Sequence, residues 1–142
     1  MKIIYSLETM ERAVDALYVL MPQCTVFTFI GSLGAGKTTL VQHLLRRCGV
    51  QDVITSPTFT YVNAYKNVQG QTFYHFDLYR LSSLNDFLDA GFDEYLYAPD
   101  SWAFIEWPEI VMPLLTHKVC HSSIDYYDHQ RMLEYTIIVK TQ

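Results

Sequence analysis

One glycine-rich segment, Gly31 to Thr38, limits the possible folds of this chain more than any other feature, because it fits G-x-x-x-x-G-K-[ST] at every fixed position. An apolar run from Thr25 to Ile30 precedes it, and a segment with helical character, Thr39 to Arg47, follows it. A strand, a glycine loop and a helix in this order are the context in which the motif binds phosphate groups. We therefore predict a nucleoside triphosphate site at this loop.

The residue types of the loop match the chemistry of a phosphate chain. Glycine lets backbone N–H groups turn inward and approach a phosphate closely, and we assign this role to Gly34, Ala35 and Gly36. The N-terminus of the following helix adds the positive end of its dipole. Lys37 places a positive charge on the β- and γ-phosphates, and the Thr38 hydroxyl is a hard oxygen ligand suited to Mg²⁺.

Composition limits the class of protein further. The chain has 142 residues, 50% hydrophobic and 18% charged, which predicts a single folded domain over residues 1–142. Its net charge is −5 and its ten basic residues are scattered, which disfavours direct nucleic-acid binding. The three cysteines form no C-x-x-C pair, and no apolar run approaches the roughly 18 residues of a membrane span. We expect a cytoplasmic protein that does not enter a membrane.

Two acidic residues each follow an apolar strand directly. Asp77 ends one such run, and Glu106 ends the run that starts at Ser101, in the manner of a Walker B element. Carboxylates at strand ends of phosphate-loop proteins orient water or hold Mg²⁺. Asp77 has an alternative role as the cap of the next turn. The polar segment Ser56 to Thr60 is either a switch loop that senses the γ-phosphate or a simple turn before a strand.

Hydrophobic periodicity predicts the remaining elements. The first helix follows Ser6 as its N-cap and ends at Pro22, and Gly70 and Gln130 lie in the turns of two hairpins. The five histidines show no spacing typical of metal ligands, and we interpret them as structural or surface residues. The predicted strands cover residues 2–5, 25–30, 59–65, 72–76, 101–106, 118–127 and 131–140, and the later helices cover 39–47, 84–90 and 108–115.

Five motifs in this order and spacing resemble one family. The likeness extends from about Ser6 to Val139 and is strongest at the glycine loop and at the His-Phe-Asp-Leu-Tyr-Arg run. The chain resembles the TsaE family, bacterial ATPases of tRNA threonylcarbamoyladenosine synthesis. The motifs are residues 31–39, 56–60, 74–80, Gly91 with Glu94-Tyr95, and Ile-Glu-Trp-Pro-Glu at 105–109.

The resemblance implies a fold and an activity. The fold would be a P-loop NTPase three-layer α/β sandwich, with parallel central strands flanked by antiparallel edge strands. The protein would bind ATP and Mg²⁺ and hydrolyse ATP weakly alone, as a monomer. It would act with the TsaB–TsaD heterodimer, which installs the threonylcarbamoyl group on the adenosine next to the anticodon. Its ATP cycle would support turnover of that complex without performing the transfer, and it would meet tRNA only through the complex.

The resemblance also assigns roles to single residues in the loop and the polar segment. Lys37 matches the phosphate-binding lysine of the family. Thr38 matches the Mg²⁺ ligand, and Thr39 beside it belongs to the nucleotide contacts. Ser56 to Thr60 matches the switch-like segment, although which of its hydroxyls touches nucleotide is left open.

Three further residues match the family at the ends of two strands. Asp77 matches an acid needed for activity, Glu106 the acid near Mg²⁺, and Trp107 the tryptophan beside the nucleotide. The chain departs from the family at Ser32, where Asp or Asn is usual, and at Leu84 to Phe87, which replaces a more acidic, proline-led run. We expect the second departure to alter part of the surface that meets the partners.

Three other functions compete with the ATPase interpretation. A small metabolite kinase needs a lid and arginines around its acceptor, but only Lys118, Arg131 and Lys140 carry positive charge after Arg80. A GTP-dependent switch commonly carries Asn-Lys-x-Asp, which this sequence lacks. A nucleotide-binding scaffold without hydrolysis stays open, because Arg80 is the nearest candidate for a catalytic arginine and has alternative roles.

Overall fold

Seven strands form one mixed sheet in the computed structural model, which describes residues 1–140. Along the sheet the strands follow the order β1-β7-β6-β2-β5-β4-β3. The four central strands β6, β2, β5 and β4 are parallel, and β1, β7 and β3 add antiparallel edges. This confirms the expected sheet. The strands are β1 Lys2–Tyr5, β2 Val26–Ile30, β3 Val62–Lys66, β4 Thr72–Asp77, β5 Ser101–Glu106, β6 His117–Tyr127 and β7 Gln130–Lys140.

Helices cover both faces of the sheet and complete the three predicted layers. Because successive side chains of a strand point to opposite faces, the sheet has two separate apolar surfaces. Phe27 and Phe104 pack under α1 and α2 with ring centroids 5.5 Å apart, whereas Phe76 packs against Phe87 of α3 on the other face at 5.9 Å. The helices are α1 Met10–Tyr18, α2 Lys37–Arg47 and α3 Leu84–Asp89, with short 3₁₀ helices at Phe92–Tyr95, Pro108–Ile110 and Met112–Leu114.

Several predicted boundaries were wrong, among them the end of α1, which lies at Tyr18 rather than at Pro22. The N-cap of α1 is Thr9 rather than Ser6, because Ser6 donates its N–H to the Thr9 hydroxyl at 2.9 Å and forms a turn. The strand predicted from residue 59 begins at Val62, because the Tyr61 N–H donates to the Pro57 carbonyl at 2.9 Å and closes another turn. The helix predicted over 108–115 is divided into the last two 3₁₀ helices.

The strand register places the carboxyl ends of the three parallel strands β2, β5 and β4 side by side, and they form one edge of the sheet across its strands. Glu106 at the end of β5 lies opposite Phe29 of β2 on one side and opposite Asp77 of β4 on the other. The glycine loop leaves β2 directly above this edge. Ligands of open α/β sheets bind at such an edge. None of the helices within residues 1–140 is long and apolar enough to cross a membrane.

Candidate nucleotide-binding site

The glycine loop connects β2 to α2 through backbone conformations that favour glycine. Gly31 has φ 146°, and a Cβ atom there would overlap the carbonyl oxygen of Ile124 in the neighbouring strand. Gly36, with φ 104°, is the N-cap of α2 and offers no side-chain acceptor to the free N–H groups of the first helical turn. Those N–H groups therefore remain free for an anion. Ala35 is buried and its own N–H donates to the Ser32 carbonyl at 3.1 Å, so its predicted nucleotide contact stays a prediction.

Lys37 is the cation of the loop, and it is only 4% exposed. Its Nζ donates to the carbonyl oxygens of Gly31 at 2.7 Å and Ser32 at 2.9 Å, and it lies 4.3 Å from the centroid of the Trp107 ring. Burial lowers the pKa of Lys37, while the Glu106 carboxylate opposes this shift. Two carbonyl groups of the loop itself thus accept hydrogen bonds from the ammonium group that the sequence assigns to phosphate.

Thr38 and Glu106, the two predicted metal ligands, are in direct contact. The Thr38 hydroxyl lies 2.7 Å from Oε1 and 2.9 Å from Oε2 of Glu106, to which it donates. Glu106 is only 2% exposed, so its carboxylate needs partners inside the protein. The structure therefore brings together two oxygen-bearing side chains from residues 68 positions apart in the chain.

His75 is the second partner of Glu106, and sequence reasoning missed this role. Its Nε2 lies 2.6 Å from Glu106 Oε2, and the histidine is completely buried. Because an ionised carboxylate only accepts hydrogen bonds, Nε2 is then the donor. The sequence held one signal for this role: alternate residues of a strand point to the same face, so His75 shares a face of β4 with Asp77. Strand β4 pairs with β5, which carries Glu106. Its Nδ1 has no hydrogen-bond partner within residues 1–140.

Asp77 lines the cleft and also caps the following turn, so the cap considered from the sequence is present and the catalytic role stays a prediction. Its Oδ1 accepts a hydrogen bond from the Tyr79 N–H at 3.1 Å. Burial raises the pKa of Asp77; the Tyr79 hydrogen bond lowers it, and the nearby Glu106 carboxylate raises it further. The carboxyl of Asp77 is therefore easier to protonate than an ordinary aspartate.

Trp107 follows Glu106 in a left-handed backbone conformation with φ 55°. Its ring packs on Tyr79 with centroids 4.8 Å apart, and its own centroid lies 4.3 Å from the Lys37 ammonium group. Non-glycine residues in this conformation are strained and concentrate at functional sites. The conformation places an aromatic wall beside the loop.

These side chains line one cleft of about 350 Å³, which we call the phosphate cleft. Ser56 and Thr58 also line it, and their hydroxyls lie 2.7 Å apart. Thr60 instead donates its hydroxyl to Asn63 at 3.0 Å. Arg80 lines the cleft with its guanidinium 4.9 Å from the Phe59 ring centroid. The predicted site residues that meet here are Gly34, Gly36, Lys37, Thr38, Thr39, Asp77, Glu106 and Trp107.

The three-layer sandwich with this loop after β2 defines a phosphate-loop α/β protein. A family model described as "Threonylcarbamoyl adenosine biosynthesis protein TsaE" matches residues 4–133. The chain belongs to the TsaE family.

Individual relatives agree with this assignment. The protein named "tRNA threonylcarbamoyladenosine biosynthesis protein TsaE" of Haemophilus influenzae is 42% identical over 104 residues, covering 73% of this chain and 65% of the relative. The protein of the same name from Rickettsia felis is 38% identical, covering 72% of this chain and 59% of the relative. This chain thus matches less than two thirds of the length of either relative. A solved structure of Bacillus subtilis YdiB shares the fold, with a TM-score of 0.72 and 24% identity over 98% of this chain and 85% of that one.

Proposed function

We propose that this chain is a Mg²⁺-dependent ATP-binding and ATP-hydrolysing accessory protein of tRNA N6-threonylcarbamoyladenosine modification. The observation that carries the proposal is the convergence of Lys37, Thr38, Asp77 and Glu106 on the phosphate cleft. Membership of the TsaE family supports the pathway. The protein acts with TsaB and TsaD, supports turnover without performing the transfer, and meets tRNA only through that complex.

The phosphate chain binds at the loop and the start of α2. The free N–H groups of the first helical turn and the positive end of the helix dipole favour an anion. Lys37 exchanges its hydrogen bonds to the Gly31 and Ser32 carbonyls for phosphate oxygens. The negative charge of the phosphates favours the protonated amine and opposes the lowering of the Lys37 pKa by burial.

The residues of the cleft fit a magnesium ion. Thr38 and Glu106 would hold it, because their oxygens are hard ligands and already lie in contact at 2.7 Å. Mg²⁺ is usually bound by one or two protein side chains together with substrate phosphates. When bound, the ion supplies charge neutralisation at the phosphate oxygens.

Asp77 orients the attacking water and accepts its proton. A raised pKa brings the carboxyl nearer to the operating pH, which is the condition for efficient general-base catalysis. The hydrogen bond from Tyr79 holds the carboxyl at the end of β4. Trp107 and Tyr79 limit the access of bulk water to this side of the cleft.

Measurements of nucleotide binding and ATPase activity test the assignment. We expect Lys37→Ala to lose nucleotide affinity, and Asp77→Ala or Glu106→Ala to keep more of the binding but lose hydrolysis. Matched controls are Lys66→Ala and Asp93→Ala, which change exposed residues outside the cleft. Normal ATPase activity of Asp77→Ala would contradict its catalytic role.

The partner role needs a separate measurement. ATPase activity should rise when purified TsaB and TsaD are added together, and the three proteins should co-purify. Equal activity with and without the two partners, combined with no co-purification, would contradict the accessory role while leaving the nucleotide site intact. Phosphorylation of a small metabolite far faster than ATP hydrolysis would instead favour a kinase.

A further inference from the structure

The phosphate cleft contains one charged side chain that the proposed function does not use, the Arg80 guanidinium. The charged residues that line the cleft are two acids, Asp77 and Glu106, and two cations, Lys37 and Arg80. With Lys37 as the only cation, two ionised carboxylates would leave a net negative charge in a cleft that is proposed to receive a triphosphate. Arg80 offsets that charge, so it is the second cation available to phosphate oxygens.

The backbone around Arg80 is anchored, whereas its side chain is exposed. On one side, Leu78 is buried and donates its N–H to the Glu106 carbonyl at 3.2 Å. On the other side, the Leu81 N–H donates to the Leu78 carbonyl at 3.1 Å and closes a turn that contains Arg80. The turn fixes the start of the arginine side chain beside the end of β5 and leaves its guanidinium at the rim of the cleft.

The guanidinium has only a weak partner in this structure. Within residues 1–140 Arg80 forms no salt bridge, and its guanidinium carbon lies 4.9 Å from the centroid of the Phe59 ring. Phe59 is 80% exposed, and a cation–π contact at an exposed site is weak. Arginine and phosphate, by contrast, form paired hydrogen bonds that are strengthened by charge. A phosphate in the cleft is therefore a stronger partner for this guanidinium than the ring is.

We propose that Arg80 leaves the Phe59 ring and donates hydrogen bonds to the γ-phosphate oxygens during ATP hydrolysis, so that the chain supplies its own catalytic arginine. This deepens the proposed function and rests on it. Water attacks the γ-phosphorus, the bond from that phosphorus to the oxygen shared with the β-phosphate breaks, and the proton of the water passes to Asp77, which leaves ADP and phosphate. Arg80 transfers no proton and neutralises the charge on the transferred group.

Single-turnover hydrolysis and calorimetric titration with Mg²⁺-ATP separate catalysis from binding. We expect Arg80→Ala to lower the hydrolysis rate constant about hundredfold and to change Kd less than about threefold, because the contact is made mainly in the transition state. The matched control Arg12→Ala, which changes an exposed arginine outside the cleft, should keep both values. Arg80→Lys keeps the charge without the paired hydrogen bonds and should stay at least about tenfold slower than the wild type.

Chemical rescue identifies the guanidinium as the missing group. Guanidinium chloride at millimolar concentrations, far below those that unfold proteins, should restore part of the activity of Arg80→Ala. It should not restore the activity of Lys37→Ala, and the same concentration of sodium chloride should restore neither variant.

The role of Phe59 is tested by combining two substitutions. The contact of its ring with Arg80 is lost in the proposed transition state, so Phe59→Leu should raise the hydrolysis rate constant about twofold to fivefold. The same substitution should have no effect in the Arg80→Ala background. Equal changes in both backgrounds, or a slower Phe59→Leu protein, would overturn the part of the proposal that concerns Phe59.

The outcomes for Arg80 are distinct from those for the proposed function. Hydrolysis by Arg80→Ala at the wild-type rate would overturn its catalytic role, and a loss of stimulation by TsaB and TsaD in that variant would then assign Arg80 to the partner surface. A loss that lies entirely in Kd would also overturn the catalytic role, because Arg80 would then act in binding alone. No hydrolysis by the wild type would instead overturn the proposed ATPase function itself.

Discussion

Glu106 is held from two sides inside the protein, although it borders a cleft. Thr38 donates to both of its oxygens, and His75 Nε2 lies 2.6 Å from Oε2. The Thr38 contact belongs to the glycine motif, whereas the His75 contact depends on the pairing of β4 with β5. His75 thus positions the carboxylate, and its role can be separated from that of the residues proposed to touch the nucleotide.

We expect His75→Leu to lower ATP hydrolysis by about tenfold or more while changing nucleotide affinity little, because partners of metal-binding carboxylates commonly have effects of this size. His75→Gln should restore part of the activity, since its amide N–H₂ is able to replace Nε2 as the donor. The measurement is kcat and KM for the three proteins, with circular dichroism to confirm folding. Equal activity of the Leu and Gln variants would show that the hydrogen bond has no positioning role.

Asp77 makes stability depend on pH, because burial raises the pKa of its carboxyl above the value in the unfolded chain. Ionisation therefore costs folding free energy at pH values above the folded-state pKa, and this cost disappears below the unfolded-state pKa of about 3.9. Asp77→Asn removes the charge and keeps an oxygen for the Tyr79 N–H. We expect the variant to have a higher Tm than the wild type at about pH 7 and the difference to shrink toward about pH 4.

Thermal unfolding followed by circular dichroism between these pH values, without nucleotide, checks this expectation. Asp93→Asn, at an exposed position outside the cleft, is the matched control and should show no such trend. A Tm difference that stays constant with pH, or a variant less stable than the wild type at neutral pH, would contradict the argument.

The β6–β7 hairpin contacts the glycine loop in addition to pairing within the sheet. Its end carries Tyr126 and Arg131, which donate to the carbonyls of Gly34 and Ala35. When these carbonyls are held by the hairpin, they are kept from turning toward a bound phosphate, where they would repel it. The hairpin therefore helps to keep the loop in the conformation that we propose binds the phosphates.

We expect Tyr126→Phe to weaken ATP and inorganic triphosphate equally, by about fivefold to tenfold, because one hydrogen bond contributes about 1 kcal/mol. Tyr127→Phe, at the neighbouring exposed position, is the matched control. Calorimetric titration of both variants with both ligands gives the comparison. A selective loss of ATP binding alone would place the Tyr126 hydroxyl at the nucleoside rather than at the loop.

The close approach of the loop to β6 explains why glycine is required at its first position. A Cβ atom on Gly31 would overlap the Ile124 carbonyl oxygen, whereas one on Gly70, in the β3–β4 turn, would meet nothing within 4 Å. Both residues have positive φ, so both substitutions to alanine introduce backbone strain. We expect Gly70→Ala to cost about 1 kcal/mol and Gly31→Ala at least about 2 kcal/mol more, measured by urea unfolding. Equal costs would show that the neighbouring strand moves away freely.

The phosphate cleft belongs to the molecule as a whole, since the ends of β4 and β5 and the start of α2 line it, and the β6–β7 hairpin holds its glycine loop. A ligand that binds only the folded state stabilises the entire domain by about 2.7 kcal/mol at one hundred times its Kd. For a domain of this size we expect Mg²⁺-ATP at that concentration to raise Tm by about 8 °C. Lys37→Ala should abolish the shift, and an unchanged shift in that variant would contradict binding at the loop.

Local patterns determined much of this protein: the glycine loop with Lys37 and Thr38, the strands that end at Asp77 and Glu106, and the long second hairpin all lie where the sequence predicts them. These features depend on neighbouring residues and on periods of two or 3.6, which a single sequence contains. Only the tertiary structure decided that His75 meets Glu106 and that the β6–β7 turn holds the loop. The first contact joins residues that are 31 positions apart in the chain, and the second joins residues that are 92 positions apart. Both depend on strand order and register, which no local pattern specifies.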